Sequence, residues 1–176
     1  MLAKELVFKS GDGRFGLTLS ASQVRILLRH CAAGLSDETG GILAGHYSEK
    51  REKAFVRAVL PAPADSSIGR TTFERGTAGT RSWLDRLWRE RGLYYMGEWH
   101  SHPFAAPDPS PQDRQTMRGR SLVQAYACPE PLLLILGGDP NGAWQAAAWV
   151  FPQWEPSVQL VQEGVAPDRS GGEARD

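Results

Sequence analysis

The sequence contains little cysteine and has no excess of charge of either sign. Cysteine occurs twice among 176 residues, at Cys31 and Cys128, which excludes a disulfide scaffold and a structural zinc site built from cysteines alone. The 20 Lys and Arg residues balance 20 Asp and Glu residues, whereas nucleic-acid-binding proteins usually carry a basic excess. We therefore expect neither nucleic acid as a partner nor electrostatic attraction to a membrane surface.

Long hydrophobic runs are also absent. The longest apolar stretch, residues 131–137, has the length of a strand and falls far short of the roughly 20 residues that a transmembrane helix needs. The N-terminal residues include Lys4, Glu5 and Lys9 and lack the apolar core of a signal peptide. These observations predict a cytoplasmic protein that does not bind the membrane.

The length of the chain predicts one domain with enough residues for a sizeable core. We place this domain at residues 1–163. Residues 164–176 are rich in glycine and charged residues, a composition that cannot bury a hydrophobic core and therefore predicts a disordered C-terminal tail.

Hydrophobic periodicity predicts short strands interspersed with three helices. Helices are expected over residues 20–34 and 80–91 and from Ser110 onward. Strands are expected at residues 6–8, 15–19, 38–47, 54–60, 93–100, 132–136, 143–151 and 158–161. Such an order indicates an α/β (α+β) fold in which a mixed β-sheet packs between helices.

The first predicted helix has two further features. Ser20 is followed three residues later by Gln23, which predicts a capping box at the helix N-terminus. Cys31 lies on the apolar stripe of this helix, so we expect a buried thiol that fills the core rather than a nucleophile.

Two of the four histidines lie one residue apart, at His100 and His102. Residues i and i+2 of a strand point to the same face, so both imidazoles can bind one metal ion. Asp113, at the start of the third predicted helix, can add a carboxylate. Two nitrogens and one oxygen leave the fourth position of a tetrahedral zinc ion open, as in catalytic zinc sites.

The residues by themselves leave other interpretations open. Most H-x-H pairs do not bind metal, and Ser110, Pro111 and Asp113 also form a favourable helix N-terminus. A capped helix and a metal ligand are nevertheless compatible at the same position. For the general base, both Glu38 and Glu98 are candidates, and their spacing in the sequence does not choose between them.

The combination of these residues resembles the JAMM signature of the JAB1/MPN/Mov34 metalloproteases. The signature consists of a glutamate, then H-[ST]-H-P, then S-x-x-D, with ten residues between the second histidine and the aspartate. The matching positions are Glu38, His100-Ser101-His102-Pro103, Ser110 and Asp113. The resemblance covers about residues 15–150, and the run at 97–103 is most similar to the prokaryotic JAB branch.

This resemblance implies an MPN/JAB-like fold with a cytidine-deaminase-like layout, and it implies a role for each matching residue. His100, His102 and Asp113 would bind one zinc ion per chain. Glu38, rather than Glu98, would be the general base, and the Ser110 hydroxyl would stabilise the oxyanion.

The family hydrolyses isopeptide or peptide bonds after the C-terminal glycine of ubiquitin or ubiquitin-like proteins. The resemblance therefore implies a zinc isopeptidase whose substrate is a ubiquitin-like or other C-terminally conjugated protein. It extends to peptidases encoded with E1- and E2-like enzymes in bacterial antiphage systems, including CBASS operons. Residues 62–72 and 104–108 are expected to form the walls of the substrate groove.

Two alternatives carry over from the same family. One is a peptidase that processes a sulfur-carrier protein. The other is a non-catalytic MPN-type binding module, which the complete set of signature residues disfavours.

Overall fold

The computed structural model describes residues 4–164, and these form ten strands and three α-helices. The strands are β1 (Leu6–Lys9), β2 (Gly16–Leu19), β3 (Gly40–Tyr47), β4 (Lys53–Leu60), β5 (Ser67–Ile68), β6 (Phe73–Glu74), β7 (Tyr94–Pro103), β8 (Leu132–Gly138), β9 (Trp144–Val150) and β10 (Val158–Gln162). The helices are α1 (Ala21–Gly34), α2 (Thr80–Arg91) and α3 (Pro111–Leu122), and a 3₁₀ turn covers Gln124–Tyr126. Except for Gly164, the predicted tail lies outside the described residues.

Eight of the strands form one sheet that closes on itself in the order β1-β10-β9-β8-β7-β3-β4-β2. Neighbouring strands are antiparallel except for the parallel pairs β7–β8 and β2–β4, so the predicted mixed sheet is confirmed. The remaining strands, β5 and β6, pair as a separate hairpin. The sequence pattern missed this hairpin because strands of two residues show no periodicity.

Strand β8 shows how helices cover both faces of the sheet. Leu132, Leu134 and Leu136 pack into the core that contains the apolar stripe of α1. The alternate residues, Leu133 and Ile135, pack against Met117 of α3 on the opposite face. A strand that is buried on both faces is apolar throughout, which explains the uninterrupted hydrophobic run and confirms the predicted packing of the sheet between helices.

Both cysteines are free and buried. Cys31 is fully enclosed, and burial raises the pKa of its thiol to about 12. Burial likewise raises the pKa of Cys128 to about 11. Neither residue therefore supplies a thiolate nucleophile near neutral pH, and the prediction of a core role for Cys31 is confirmed.

The predicted capping box at the start of α1 is wrong. Ser20 precedes the helix, but its side chain makes no capping hydrogen bond and lies 2.8 Å from the hydroxyl of Ser22. Gln23 instead donates from Nε2 to the carbonyl oxygen of Arg57 on β4, at 3.1 Å. The Gln23 side chain, which the local pattern assigns to the cap of α1, is thus engaged in a tertiary contact with β4.

The glycine-rich start of β3 allows close packing beside β7. A Cβ atom at Gly41 would overlap the carbonyl group of Leu60, and one at Gly40 would overlap the ring of Phe73. Gly40 pairs directly with His100. The segment that precedes β3 is thereby held next to the histidines of β7. None of the helices in residues 4–164 is long and apolar enough to span a membrane.

Candidate metal centre

His100 and His102 lie near the C-terminal end of β7 and point to the same side of the sheet. β3 pairs with β7 on one side and β8 pairs with it on the other, which fixes the backbone that carries both histidines. Their Nε2 atoms are 3.0 Å apart. The side chain of His100 is 7% exposed and that of His102 is 11% exposed.

Asp113 reaches the same point from the first turn of α3. Its Oδ2 atom lies 3.7 Å from Nε2 of His100 and 4.0 Å from Nε2 of His102. Two ligand bonds of about 2 Å at a tetrahedral angle separate the ligand atoms by ~3.3 Å. The three observed separations bracket this value, so the residues fit a single tetrahedral ion.

Hydrogen bonds and burial favour the binding of a cation by these side chains. Nδ1 of His102 lies 3.2 Å from the carbonyl oxygen of Ala106, and a proton on Nδ1 leaves the Nε2 lone pair available for a metal. Burial lowers the pKa of His100 well below its ordinary value, although the charge of Asp113 opposes this shift. His100 is therefore neutral near pH 7, which is the form that binds metal.

Ser110 and Asp113 form the predicted helix start as well as part of the site. The Ser110 hydroxyl accepts a hydrogen bond from the Asp113 N–H at 3.1 Å, and the Asp113 carboxylate accepts one from the Ser110 N–H at 2.7 Å. This reciprocal capping box holds the carboxylate in place. Because the hydroxyl acts as an acceptor here, its own hydrogen stays available for a substrate.

Glu38 lies immediately before β3 and lines the same cavity of about 710 Å³ as both histidines. Its backbone N–H donates to the carbonyl oxygen of Gly69, between β5 and β6, at 2.8 Å. Burial, together with the negative charge of Asp113, raises the pKa of Glu38 from 4.5 to about 7. A carboxylate with this pKa can both accept and release a proton near neutral pH.

Glu98, the other candidate base, also lines the cavity but is already engaged. Its Oε1 atom lies 2.9 Å from Nη2 of Arg75 and 2.7 Å from Nε of Arg120. The hydroxyl of Tyr95 donates to the same oxygen at 3.3 Å. Both guanidinium groups thus occupy the carboxylate of Glu98. The sequence reasoning missed both arginines, and no local pattern indicates them.

Only one of the two segments predicted to form the walls of the substrate groove lines the cavity. From the segment 62–72, Ser67, Thr71 and Thr72 line the cavity, whereas no residue of 104–108 does so. The latter segment acts indirectly, through the Ala106 carbonyl that contacts His102.

Three comparisons with known proteins bear on this arrangement. Residues 20–150 match the family model described as prokaryotic homologs of the JAB domain. A CD-NTase/cGAS isopeptidase of Enterobacter hormaechei subsp. hoffmannii is 39% identical over 160 residues, which cover 91% of this chain and 88% of that protein. A probable metalloprotease of Sinorhizobium fredii is 28% identical over 132 residues, 73% of this chain and 79% of that protein.

The fold also has a solved counterpart. The solution structure of a Desulfitobacterium hafniense protein matches with a TM-score of 0.53 at 20% identity, over 81% of this chain and 86% of that one. At that identity the likeness concerns the fold alone. The family model, which matches most of the chain, and the extended identity to the Enterobacter protein show that this chain belongs to the family of prokaryotic JAB-domain proteins.

Proposed function

We propose that this protein is a zinc-dependent isopeptidase. The observation that carries the proposal is the convergence of His100, His102 and Asp113, whose ligand atoms all lie within 4.8 Å of one another. Glu38 and Ser110 line the cavity that contains these ligands. The names of the Enterobacter and Sinorhizobium relatives, an isopeptidase and a probable metalloprotease, support the same reaction class.

The proposed substrate is a protein conjugated through its C-terminal glycine, either ubiquitin-like or a CD-NTase. The relative's printed name associates it with CD-NTase/cGAS proteins, which supports a substrate of this kind. A role beside E1- and E2-like enzymes in the cytoplasm of a bacterium is part of the same proposal and follows from the resemblance to the JAMM family. The conjugate would enter the cavity as an extended chain, past the polar side chains of the β5–β6 hairpin.

Each site residue has a distinct part in the proposed hydrolysis. His100, His102 and Asp113 would hold the zinc ion, which would supply Lewis acidity and lower the pKa of the attacking water toward about 7. Glu38 would take a proton from the attacking water and return it to the leaving amine as the C–N bond breaks. Ser110 would donate its free O–H to the oxyanion of the tetrahedral intermediate.

A cleavage assay on defined conjugates tests this function. The substrates are a CD-NTase and a ubiquitin-like protein, each joined through its C-terminal glycine to a lysine of a reporter. We expect the zinc-loaded protein to release the intact carrier and the reporter, and a chelator to stop the release. Failure of the zinc-loaded protein to cleave any conjugate of either class would contradict the proposal.

A further inference from the structure

A buried cluster of charged side chains lies beside the metal centre, and the proposed hydrolysis does not use it. Glu98 precedes His100 by two residues on β7, so both point to the same face of the strand. Arg75 and Arg120 both pair with the carboxylate of Glu98. We call these three residues, Arg75, Glu98 and Arg120, the arginine cluster.

The arginine cluster holds two positive charges for one negative charge. The side chain of Arg75 is 1% exposed, and it also donates to the Tyr126 hydroxyl at 2.7 Å and to the Gly76 carbonyl at 2.8 Å. A buried charge without a counter-ion is strongly destabilising, so Arg75 requires the charge of Glu98. The charge of Arg120 is therefore left without an equal counter-charge.

Arg120 is the arginine of the cluster with a path to solvent. Its side chain is 23% exposed and lines the cavity. Its Nε atom is held by Glu98, while its Nη1 and Nη2 atoms donate to no acceptor within residues 4–164. A guanidinium with a fixed Nε and two available Nη groups matches the fork geometry that binds a carboxylate through parallel hydrogen bonds.

The other acidic residues of the cavity do not neutralise Arg120. Glu38 and Asp113 face the metal centre, where a dication would balance their charges. Glu74 lines the cavity, but within the described part of the chain it forms no ion pair with either arginine.

We propose that Arg120 forms a carboxylate-binding subsite for the substrate beside the metal centre. The identity of the ligand as a substrate rests on the proposed isopeptidase function, whereas the existence of the subsite does not. Asp113 and Arg120 are seven residues apart on α3, which places them on one side of the helix and ~10 Å apart along its axis. About three residues of an extended chain span this distance. The subsite therefore recognises a carboxylate two or three residues from the scissile bond.

Binding of a small carboxylate tests the subsite without any cleavage. Propionate and its neutral isostere propionamide would be titrated into the full-length zinc-loaded protein, and the Nε–Hε resonance of Arg120 followed by NMR. We expect propionate to shift this resonance saturably, with a Kd on the order of 10 mM, and propionamide to leave it unchanged. An unchanged resonance at 100 mM propionate, or an equal response to propionamide, would overturn the proposal.

Short peptides distinguish a substrate side chain from a chain terminus as the source of the carboxylate. The probes are acetyl-Gly-Gly-Gly-Glu amide, its Gln analogue, and acetyl-tetraglycine as free acid and as amide. Tighter binding of the Glu peptide by about tenfold would assign the subsite to an acidic side chain, and tighter binding of the free acid would assign it to a terminal carboxylate. Equal affinity within both pairs would overturn the proposal.

Matched variants test whether Arg120 causes the tighter binding of the carboxylate peptide. We expect Arg120→Gln to abolish the tenfold preference and Arg120→Lys to retain part of it. Arg118→Gln, at an exposed position of the same helix, should keep the full preference. Thermal melting checks that Arg120→Gln remains folded. If no conjugate were cleaved, the proposed function would fail, while the peptide affinities would still decide whether the subsite exists.

Discussion

Glu38 is a carboxylate whose surroundings favour its protonated form when no metal is bound. Its pKa is raised from 4.5 to about 7, first by burial and then by Asp113. Glu98, only two residues from His100, is instead paired with Arg75 and Arg120. The two carboxylates thus have different partners within one cavity, and only Glu38 lacks an arginine partner among the described residues.

Glu38→Gln should remove catalysis while metal binding remains, because the amide cannot accept a proton and Glu38 is not one of the three ligands. We expect kcat to fall by 10²–10⁴-fold, the usual contribution of a general base, with one zinc ion still bound per chain. Glu74→Gln, another carboxylate of the same cavity, is the matched control and should keep its activity. A Glu38→Gln protein with more than a tenth of wild-type kcat would contradict the assignment.

The raised pKa of Glu38 also makes the stability of the metal-free protein depend on pH. Between pH 4.5 and 7 the folded state holds the Glu38 proton more tightly than the unfolded state, so the free energy of unfolding falls as the pH rises through this range. At pH 8, Glu38→Gln should therefore be more stable than the wild type by about 1 kcal/mol, a value reduced because solvent screens a partly exposed carboxylate.

Urea denaturation of both metal-free proteins measures this difference. At pH 4, where Glu38 is mostly protonated in both states, the two proteins should unfold at nearly the same urea concentration. If Glu38→Gln raised the free energy of unfolding as much at pH 4 as at pH 8, the stabilisation would come from packing rather than from charge.

Among the secondary structure elements, α3 serves the site through its first turn. The capping box between Ser110 and Asp113 stabilises the helix and at the same time orients the Asp113 carboxylate, the proposed metal ligand. Substitutions can separate the capping role of Ser110 from its proposed catalytic role, because glycine is tolerated at the N-cap position whereas alanine is not.

Ser110→Ala should lower the free energy of unfolding by ~1 kcal/mol, and Ser110→Gly by only a few tenths of that, as N-cap preferences dictate. Both variants lose the hydroxyl, so both should lose 10²–10³-fold in kcat, the cost of removing one oxyanion donor. Ser110→Thr, which keeps the cap and the hydroxyl, should retain stability and most activity. Full activity in Ser110→Gly would exclude a catalytic role for this hydroxyl.

Strand β3 depends on a glycine for its place in the sheet. A Cβ at Gly41 would overlap the Leu60 carbonyl, which is backbone and cannot move aside independently. We expect Gly41→Ala to lower the free energy of unfolding by ~1–3 kcal/mol, the range for overpacking.

Gly119, within α3, is the matched control for this prediction. No atom lies within 4 Å of a Cβ placed there, so Gly119→Ala should raise the free energy of unfolding by ~0.5–1 kcal/mol through helix propensity. Chemical denaturation of both variants measures the two effects. If both substitutions changed the free energy of unfolding in the same direction, the packing argument would be contradicted.

At the scale of the whole molecule, the candidate metal centre joins two elements, β7 and α3, that the ion pair between Glu98 and Arg120 already connects. The proposed ligands come from β7 in the closed sheet and from α3 outside it. A bound ion would therefore cross-link them, and a ligand that binds only the folded state stabilises it by mass action.

Zinc should thus raise the melting temperature of the whole protein. At a free zinc concentration a thousand times Kd, the added stability should be about 4 kcal/mol. His102→Ala should abolish this gain, whereas His46→Ala, at a histidine stacked on Phe55 rather than in the metal centre, should preserve it. Calorimetry with and without chelator measures the difference. If both variants lost the stabilisation by zinc to the same extent, the metal would bind at another place.

The sequence by itself determined the three helices, eight of the ten strands and the set of residues proposed for the site. Helix and strand periodicities are local, so the three helices and the fully buried strand β8 could be predicted from residue patterns. The spacing of His100, His102 and Asp113 is likewise a property of one short segment. Glu38, although distant in the sequence, was indicated by the resemblance to the JAMM signature.

Only the tertiary structure decided which groups surround these residues. The engagement of Glu98 by Arg75 and Arg120, the β5–β6 hairpin beside the cavity and the closure of the sheet all join segments that are far apart in the chain. Such contacts depend on the path of the backbone, and neither periodicity nor spacing encodes that path. For the same physical reason, the raised pKa of Glu38 follows from burial and from the approach of Asp113 rather than from its sequence neighbours.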